Sequence, residues 1–240
     1  MIQTTEIAKG IYRIAMWDEA DLVKAKILWP GATYNLFLVN AKEPAIIQTM
    51  FRRSFKRLRD HMRTTLDPGN LRYIVVPHHE GDSSGAVNEW AQAAPNAAIL
   101  CSELCATLSL RDLSTKEPRV VGEGEVVDLG THRLRFFMTP QVNQWDSLMV
   151  YEEMTGALFP NDLFSSLGTE AVTDKDRSRE ALGAARELGY QADDRKSLGQ
   201  ALDKLAPLSI KVIAPMHGPT LTAHVNDMVR AFRDNALAPA

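Results

Sequence analysis

Ile74-Val75-Val76-Pro77-His78-His79-Glu80-Gly81-Asp82 is a β-branched run that breaks into imidazoles and carboxylates. The apolar stretch Leu71 to Val76 predicts a buried strand, and Pro77 ends it. His78, His79, Glu80 and Asp82 therefore sit at the carboxyl end of a strand, where open α/β sheets place their ligands. Two later stretches repeat the arrangement. Asp162 follows Ala157-Leu158-Phe159-Pro160-Asn161, and His217 follows Ile210-Lys211-Val212-Ile213-Ala214. Singly, each of these residues has an ordinary explanation as a turn or capping group. Three strand-end loops in order carry a metal reading that none carries alone.

Working outward, Ile11 to Ala15, Tyr34 to Val39 and Ala45 to Ile47 read as strands, the second after a Pro30-Gly31 turn. Phe51 to Thr65 reads as an amphipathic helix ended by Asp67-Pro68-Gly69-Asn70. A helix over 86–94, a strand over 97–100 and a helix over 103–112 follow. Strands are expected at 119–121, 126–129, 134–138, 148–151 and 157–159, then helices at 177–188 and 195–205, the strand 210–214 and a closing helix. The order, strands then helix and strands then helix, predicts two similar halves in a four-layer α/β sandwich. With 240 residues and no linker or repeat, the chain is expected to be one domain over 1–240.

Imidazole with carboxylate suits iron, manganese or zinc, whereas calcium would take oxygen alone. One carboxylate such as Asp162 can bridge two ions about 3.5 Å apart. The net charge of −3 argues against nucleic acid as a partner. The one basic run, Arg52-Arg53-Ser54-Phe55-Lys56-Arg57-Leu58-Arg59, reads as a solvated helix face rather than a phosphate site. Cys101 and Cys105, four apart, are ill placed for a disulfide across one helical turn and read as small reduced apolar residues. Met1-Ile2-Gln3-Thr4-Thr5-Glu6 lacks the basic start and apolar run of a signal peptide, and no stretch approaches the ~18 apolar residues of a membrane span. A cytoplasmic protein without a membrane partner is expected. Trp17, Trp29, Trp145 and Phe164 are candidates to wall the mouth of the site.

Residues 73–85 resemble the signature of the flavodiiron proteins, the oxygen- and nitric-oxide-reducing branch of the metallo-β-lactamase superfamily. Their pattern is His-x-Glu-x-Asp-His-x-Gly, with Glu where hydrolytic relatives carry another His. Thr33-Tyr34-Asn35, Trp145-Asp146-Ser147-Leu148-Met149, Phe159-Pro160-Asn161-Asp162-Leu163-Phe164 and Ala214-Pro215-Met216-His217-Gly218-Pro219 resemble further family segments, in order. The resemblance covers nearly the whole chain and implies the αββα sandwich of the metallo-β-lactamase type. It implies two irons, one on His78 and Glu80, the other on Asp82 and His217, bridged by Asp162. Glu80 and Asp82 would carry the chemistry.

The chain departs from the pattern where Ser83 replaces a His, where Asn143 or Gln144 replaces another, and where Gln48 stands for an Asp. Each metal thereby loses one imidazole, which weakens the site or leaves a single ion. His79, His224, Ser83 and Asn143 are possible weak or water-mediated substitutes. Glu80 favours a non-haem iron protein that binds or activates dioxygen or a related small oxidant. The flavodoxin-like domain of the family is not seen before Ala240, so a reductase would need a separate flavoprotein or rubredoxin-type donor. Head-to-tail pairing in the family implies a homodimer. The alternatives are a metal-dependent hydrolase of an ester, lactone or phosphodiester, with Asp82 as base, and a non-catalytic relative with a decayed site.

Overall fold

A computed structural model describes residues 1–17, 31–188 and 195–237. Trp29 and Pro30 lie outside the described residues. Sheet one carries its strands in sequence order: β1 (Ile2–Ala8), β2 (Ile11–Met16), β3 (Tyr34–Val39), β4 (Ala45–Ile47), β5 (Tyr73–Val75), β6 (Ala98–Cys101) and β7 (Arg119–Val120). The first four pair antiparallel and the last four parallel.

The parallel half explains its own composition. Ile46, Ile74 and Ile99 lie in one register row, Ile47, Val75 and Leu100 in the next. The first row faces an outer core under the helices, and the second faces the core between the sheets. Strands covered on both sides need unbroken apolar runs, which is what the sequence supplies. Each such side chain contributes about 1.5–3 kcal/mol on burial.

Sheet two has β8 (Val126–Asp128), β9 (Arg133–Met138), β10 (Leu148–Glu152), β11 (Ala157–Phe159), β12 (Val172–Thr173), β13 (Val212–Ile213) and β14 (Thr220–Leu221). Their spatial order is β12-β14-β13-β11-β10-β9-β8. Leu148 and Val150 face the first sheet, while Met149 and Tyr151 face the other way.

Helices α1 (Phe55–Met62), α2 (Gly81–Ser84), α3 (Val87–Ala93) and the helical run 103–113 accompany the first sheet. Helices α4 (Ser178–Leu188), α5 (Arg195–Leu205) and α6 (Val225–Leu237) accompany the second. The result is the four-layer αββα sandwich expected from the sequence.

Several details differ from expectation. The helix expected over 51–65 opens as a 3-10 turn, Arg52–Ser54, because Phe51 is extended and no side chain caps it. The run 103–113 contains a π turn at Ala106–Leu110. Residues 81–84 form a helical turn rather than open loop.

Candidate metal centre

Strand β5 of the first sheet and strands β11 and β13 of the second place three loops on one rim. β11 runs parallel to β13, so Asp162 and His217 leave the sheet at the same edge. The first sheet is drawn to this rim by Leu148 N–H donating to Pro77 O at 3.0 Å, and Asn35 N–H donating to Met216 O at 3.0 Å. His78, from the end of β5, completes the convergence.

The five residues form a ring of contacts. His78 Nε2 lies 3.2 Å from Glu80 Oε2 and 3.7 Å from Asp162 Oδ2. His217 Nε2 lies 3.3 Å from Asp162 Oδ1 and 3.7 Å from Asp82 Oδ2. Ligand atoms of His78, Glu80 and Asp82 all fall within 4.8 Å of one another. Asp162, almost fully buried, thus faces both imidazoles, one with each oxygen. Glu80 is the open member, with its side chain 40% exposed.

Both rings are aimed by their other nitrogen. His78 Nδ1 sits 2.9 Å from Asn161 Oδ1, and His217 Nδ1 donates to Thr33 O at 3.0 Å. A hydrogen bond at Nδ1 fixes the tautomer that turns Nε2 inward as the donor atom. The loop of His217 is itself clamped. Arg13, wholly buried, donates from Nε to Asn35 Oδ1 at 2.9 Å and from Nη2 to Thr33 Oγ1 and Gly218 O at 3.0 and 3.1 Å. Asn35 Nδ2 donates to Pro215 O at 2.8 Å. Gly218 holds a φ of +85°, and a Cβ there would meet Ser166 O at 2.3 Å, so glycine is required.

Three carboxylates against two imidazoles leave the ring with excess negative charge. Burial opposes the charged form of His78, but Asp162, with Glu80 and Asp82, outweighs burial and lifts its pKa to about 9. His217 is raised in the same way, burial being overcome by Asp162 and Asp82. Burial raises the Asp82 carboxyl, aided by Asp162. Asp162 is held below the usual range because His78, His217 and Asn143 outweigh its desolvation. The ring thus favours added positive charge, which a metal cation would supply, and the donor set fits a hard or borderline transition metal.

The substituted positions behave differently from ligands. Asn143 Nδ2 donates to Asp162 Oδ2 at 2.7 Å, and Gln144 Nε2 donates to Glu80 Oε1. Ser83 is buried; its Oγ meets no hydrogen-bond partner among the described residues, and its carbonyl accepts from Thr49. Gln48, Asn143 and Asn161 all adopt positive φ, at 71°, 65° and 60°. Each such non-glycine conformation costs on the order of 1–3 kcal/mol, and such strain gathers at functional sites.

Other expectations are not met. His79 turns away, its Nδ1 bonding buried Asp146 at 3.0 Å and its ring packing edge-on against Trp145. His224 does not face the mouth: its Nδ1 bonds Asp227 at 2.9 Å on an exposed surface, because it immediately precedes α6 and the Asp lies three residues on, in the first turn. Phe164 is core, packed edge-on against Phe232, and walls nothing; Trp145 is half-exposed beside His79. Sequence reasoning missed Asn161 and Asp146 as orienting residues, although both adjoin residues it singled out. It missed Arg13 without any signal that could have found it.

Comparisons with known proteins agree with this geometry. Residues 32–218 match the family model described as ODP family beta lactamase. A putative diflavin flavoprotein A 1 of Nostoc sp. is 28% identical over 100% of this chain and 42% of its own length. A mutant flavo di-iron protein from Thermotoga maritima superposes with a TM-score of 0.84 at 22% identity, covering 98% of this chain and 62% of that one. Rubredoxin oxygen:oxidoreductase from Desulfovibrio gigas gives 0.84 at 22%, covering 98% and 61%. At these identities the structural likeness shows the fold. The chain spans 40–42% of the length of the first curated relatives it matches.

Proposed function

Because the chain belongs to the ODP family of beta lactamases, we propose that it is a non-haem iron oxidoreductase acting on dioxygen or a related small oxidant. The observation that carries this reading is the ring itself: two inward Nε2 atoms and three carboxylates, with Asp162 facing both imidazoles. Such a set favours iron, with manganese or zinc as competitors. His78 with Glu80, and His217 with Asp82, would hold two ions with Asp162 between them, or one ion if the amide-substituted half is lost. Bound iron would supply open coordination positions and redox chemistry for the oxidant.

The chain's own residues do the rest. Asn161 and Thr33 hold the two rings, and the Arg13 clamp fixes the height of the His217 loop. Glu80, the open member, is steadied by Gln144 and stands where the oxidant enters. Electrons would come from a separate flavoprotein or rubredoxin-type donor, in line with the names of the relatives above. The hydrolytic alternative draws no support from those relatives, which are flavoproteins and di-iron or oxygen-reducing proteins.

The same proposal takes residues 1–240 as one domain, supported by the core shared between the sheets. It places the protein in the cytoplasm, supported by two buried free cysteines, Cys101 and Cys105. Among the described residues no helix is long and apolar enough to cross a membrane. It also takes the protein as a homodimer, for which exposed Leu104, Leu108 and Leu113 offer apolar surface.

The test is metal analysis with an optical spectrum of anaerobically purified protein. Iron bound in stoichiometric amount, with a band that changes on admitting oxygen, is expected, and Glu80→Ala should lose the iron. Unchanged iron in Glu80→Ala, or zinc with esterase turnover, would sink the reading.

A further inference from the structure

The basic segment that opens α1 is the strongest charge feature of the chain. Residues 51–63 hold six Arg or Lys and one Asp, a local charge of +5 in a chain of −3, which leaves −8 on all other residues. Asp60 engages Arg59 and Arg63, and Glu89 engages Arg52. Arg53 and Lys56 are exposed on this face, and so is Arg57, which has a partner of its own. Amphipathic packing explains the other side, where Leu58 and Met62 are buried and Phe55 packs edge-on against Trp90. It does not explain why the outer side is nearly all cationic in an acidic protein.

Position gives the face a meaning. Phe51, directly before the basic residues, lies 5.5 Å from Tyr34 by ring centroids, and Tyr34 lies 4.7 Å edge-on from His217. A Cβ on Gly81, between Glu80 and Asp82, would touch the Phe51 ring at 3.8 Å. Two rings therefore bridge the cationic face and an imidazole of the candidate centre. We propose that the face formed by Arg52, Arg53, Lys56 and Arg57 docks an acidic electron-carrier protein beside the mouth of the centre. A compact acidic protein can meet this cationic face and avoid the acidic balance of the remaining residues, whereas a long polyanion would run into it. Charge of this kind steers encounter and orients the partner more than it adds affinity, which suits a transient donor.

The inference rests on the oxidoreductase reading for the nature of the partner, but its test is binding. The probe is a rubredoxin of net negative charge, isotope-labelled and titrated with the protein by NMR. Binding is expected at low salt, with the dissociation constant rising about tenfold between about 20 mM and about 200 mM salt. The variant Arg53→Glu, Lys56→Glu, Arg57→Glu should weaken binding about tenfold or more at low salt. Lys42→Glu with Arg72→Glu, at the opposite end of β5, should leave it within about twofold. No binding at low salt, equal binding by both variants, or tighter binding of a short RNA or anionic vesicle that the triple variant loses would overturn the proposal. Iron-free protein that still binds the rubredoxin in this charge-dependent way would sink the functional reading and leave the docking face standing. Iron-loaded protein that ignores the rubredoxin would do the reverse.

Discussion

Asp162 and Glu152 are both buried carboxylates in the second sheet, at opposite ends of the sandwich, and they are satisfied in opposite ways. Glu152, the last residue of β10, receives Met154 N–H at 2.9 Å, Thr155 N–H at 2.7 Å, Thr155 Oγ1 at 2.5 Å and Arg133 N–H at 3.3 Å, with His132 Nδ1 3.2 Å away. Most of these donors are its own turn, covalently fixed within three residues. Asp162 instead faces two imidazoles and an amide delivered by three distant loops. Glu152 closes a turn and has no capacity left. Asp162 is held by groups that can each give up a proton or move aside. A buried carboxylate is structural when backbone satisfies it and functional when exchangeable side chains do.

That contrast can be broken in several ways. Glu152→Ala should cost about 4 kcal/mol in urea unfolding, since it orphans buried donors, and should leave iron content unchanged. Asp162→Asn should weaken iron binding at least about tenfold by competition with a chelator, while the stability of iron-free protein changes by about 1 kcal/mol or less. Asn143→His would replace the amide that occupies Asp162 with an imidazole, and iron affinity should rise about threefold in the same assay. Loss of affinity there would show that the amide is already a ligand.

Acid and base should separate the two ends as well. Hydrogen bonds from Thr155, Met154 and Arg133 overcome the desolvation of Glu152 and hold its carboxyl below 4.5. Its stabilisation is present above pH 4.5 and is lost as pH falls through that depressed value. His78 is raised from 6.5 to about 9 in metal-free protein. Its contribution is full below pH 6.5 and is lost as pH rises through about 9. Urea midpoints of metal-free protein should therefore fall at both extremes. Glu152→Ala should blunt the acid limb alone, whereas Asp162→Asn should blunt both, because its own carboxyl is also held low and it raises His78.

Much of this was legible in the sequence. The apolar runs before His78, Asp162 and His217 had to be buried strands, so the polar residues after them had to meet at a rim. The hidden parts are those without a local signature. Strand β1 carries Gln3-Thr4-Thr5-Glu6, with no apolar alternation, and forms an edge only because β2 supplies its register. Arg13 sits in Ile11-Tyr12-Arg13-Ile14 where alternation suggests a solvent-facing cation, and its acceptors lie 20 to 205 residues away. Asn143 and Gln144 were recognised as departures, but which carboxylate each amide would take depends on the fold around them. Phe164 was misplaced because an aromatic beside a ligand looks the same in sequence whether it faces the mouth or the core.

The Arg13 clamp also orders events in time. During synthesis the guanidinium emerges 205 residues ahead of the Gly218 carbonyl it will hold. Until then Arg13, Thr33 and Asn35 have no carbonyl from that loop to bind and remain hydrated, because an unsatisfied buried guanidinium is costly. The first sheet can close around its core early, but the rim over the centre cannot seal. A chain that stops short of the last loop already carries His78, Glu80, Asp82 and Asp162, but lacks the clamped His217 that completes the set. The final loop thus serves as a latch, and a release assay on ribosome-bound chains ending before and after Gly218 would show iron becoming slow to exchange only in the longer ones.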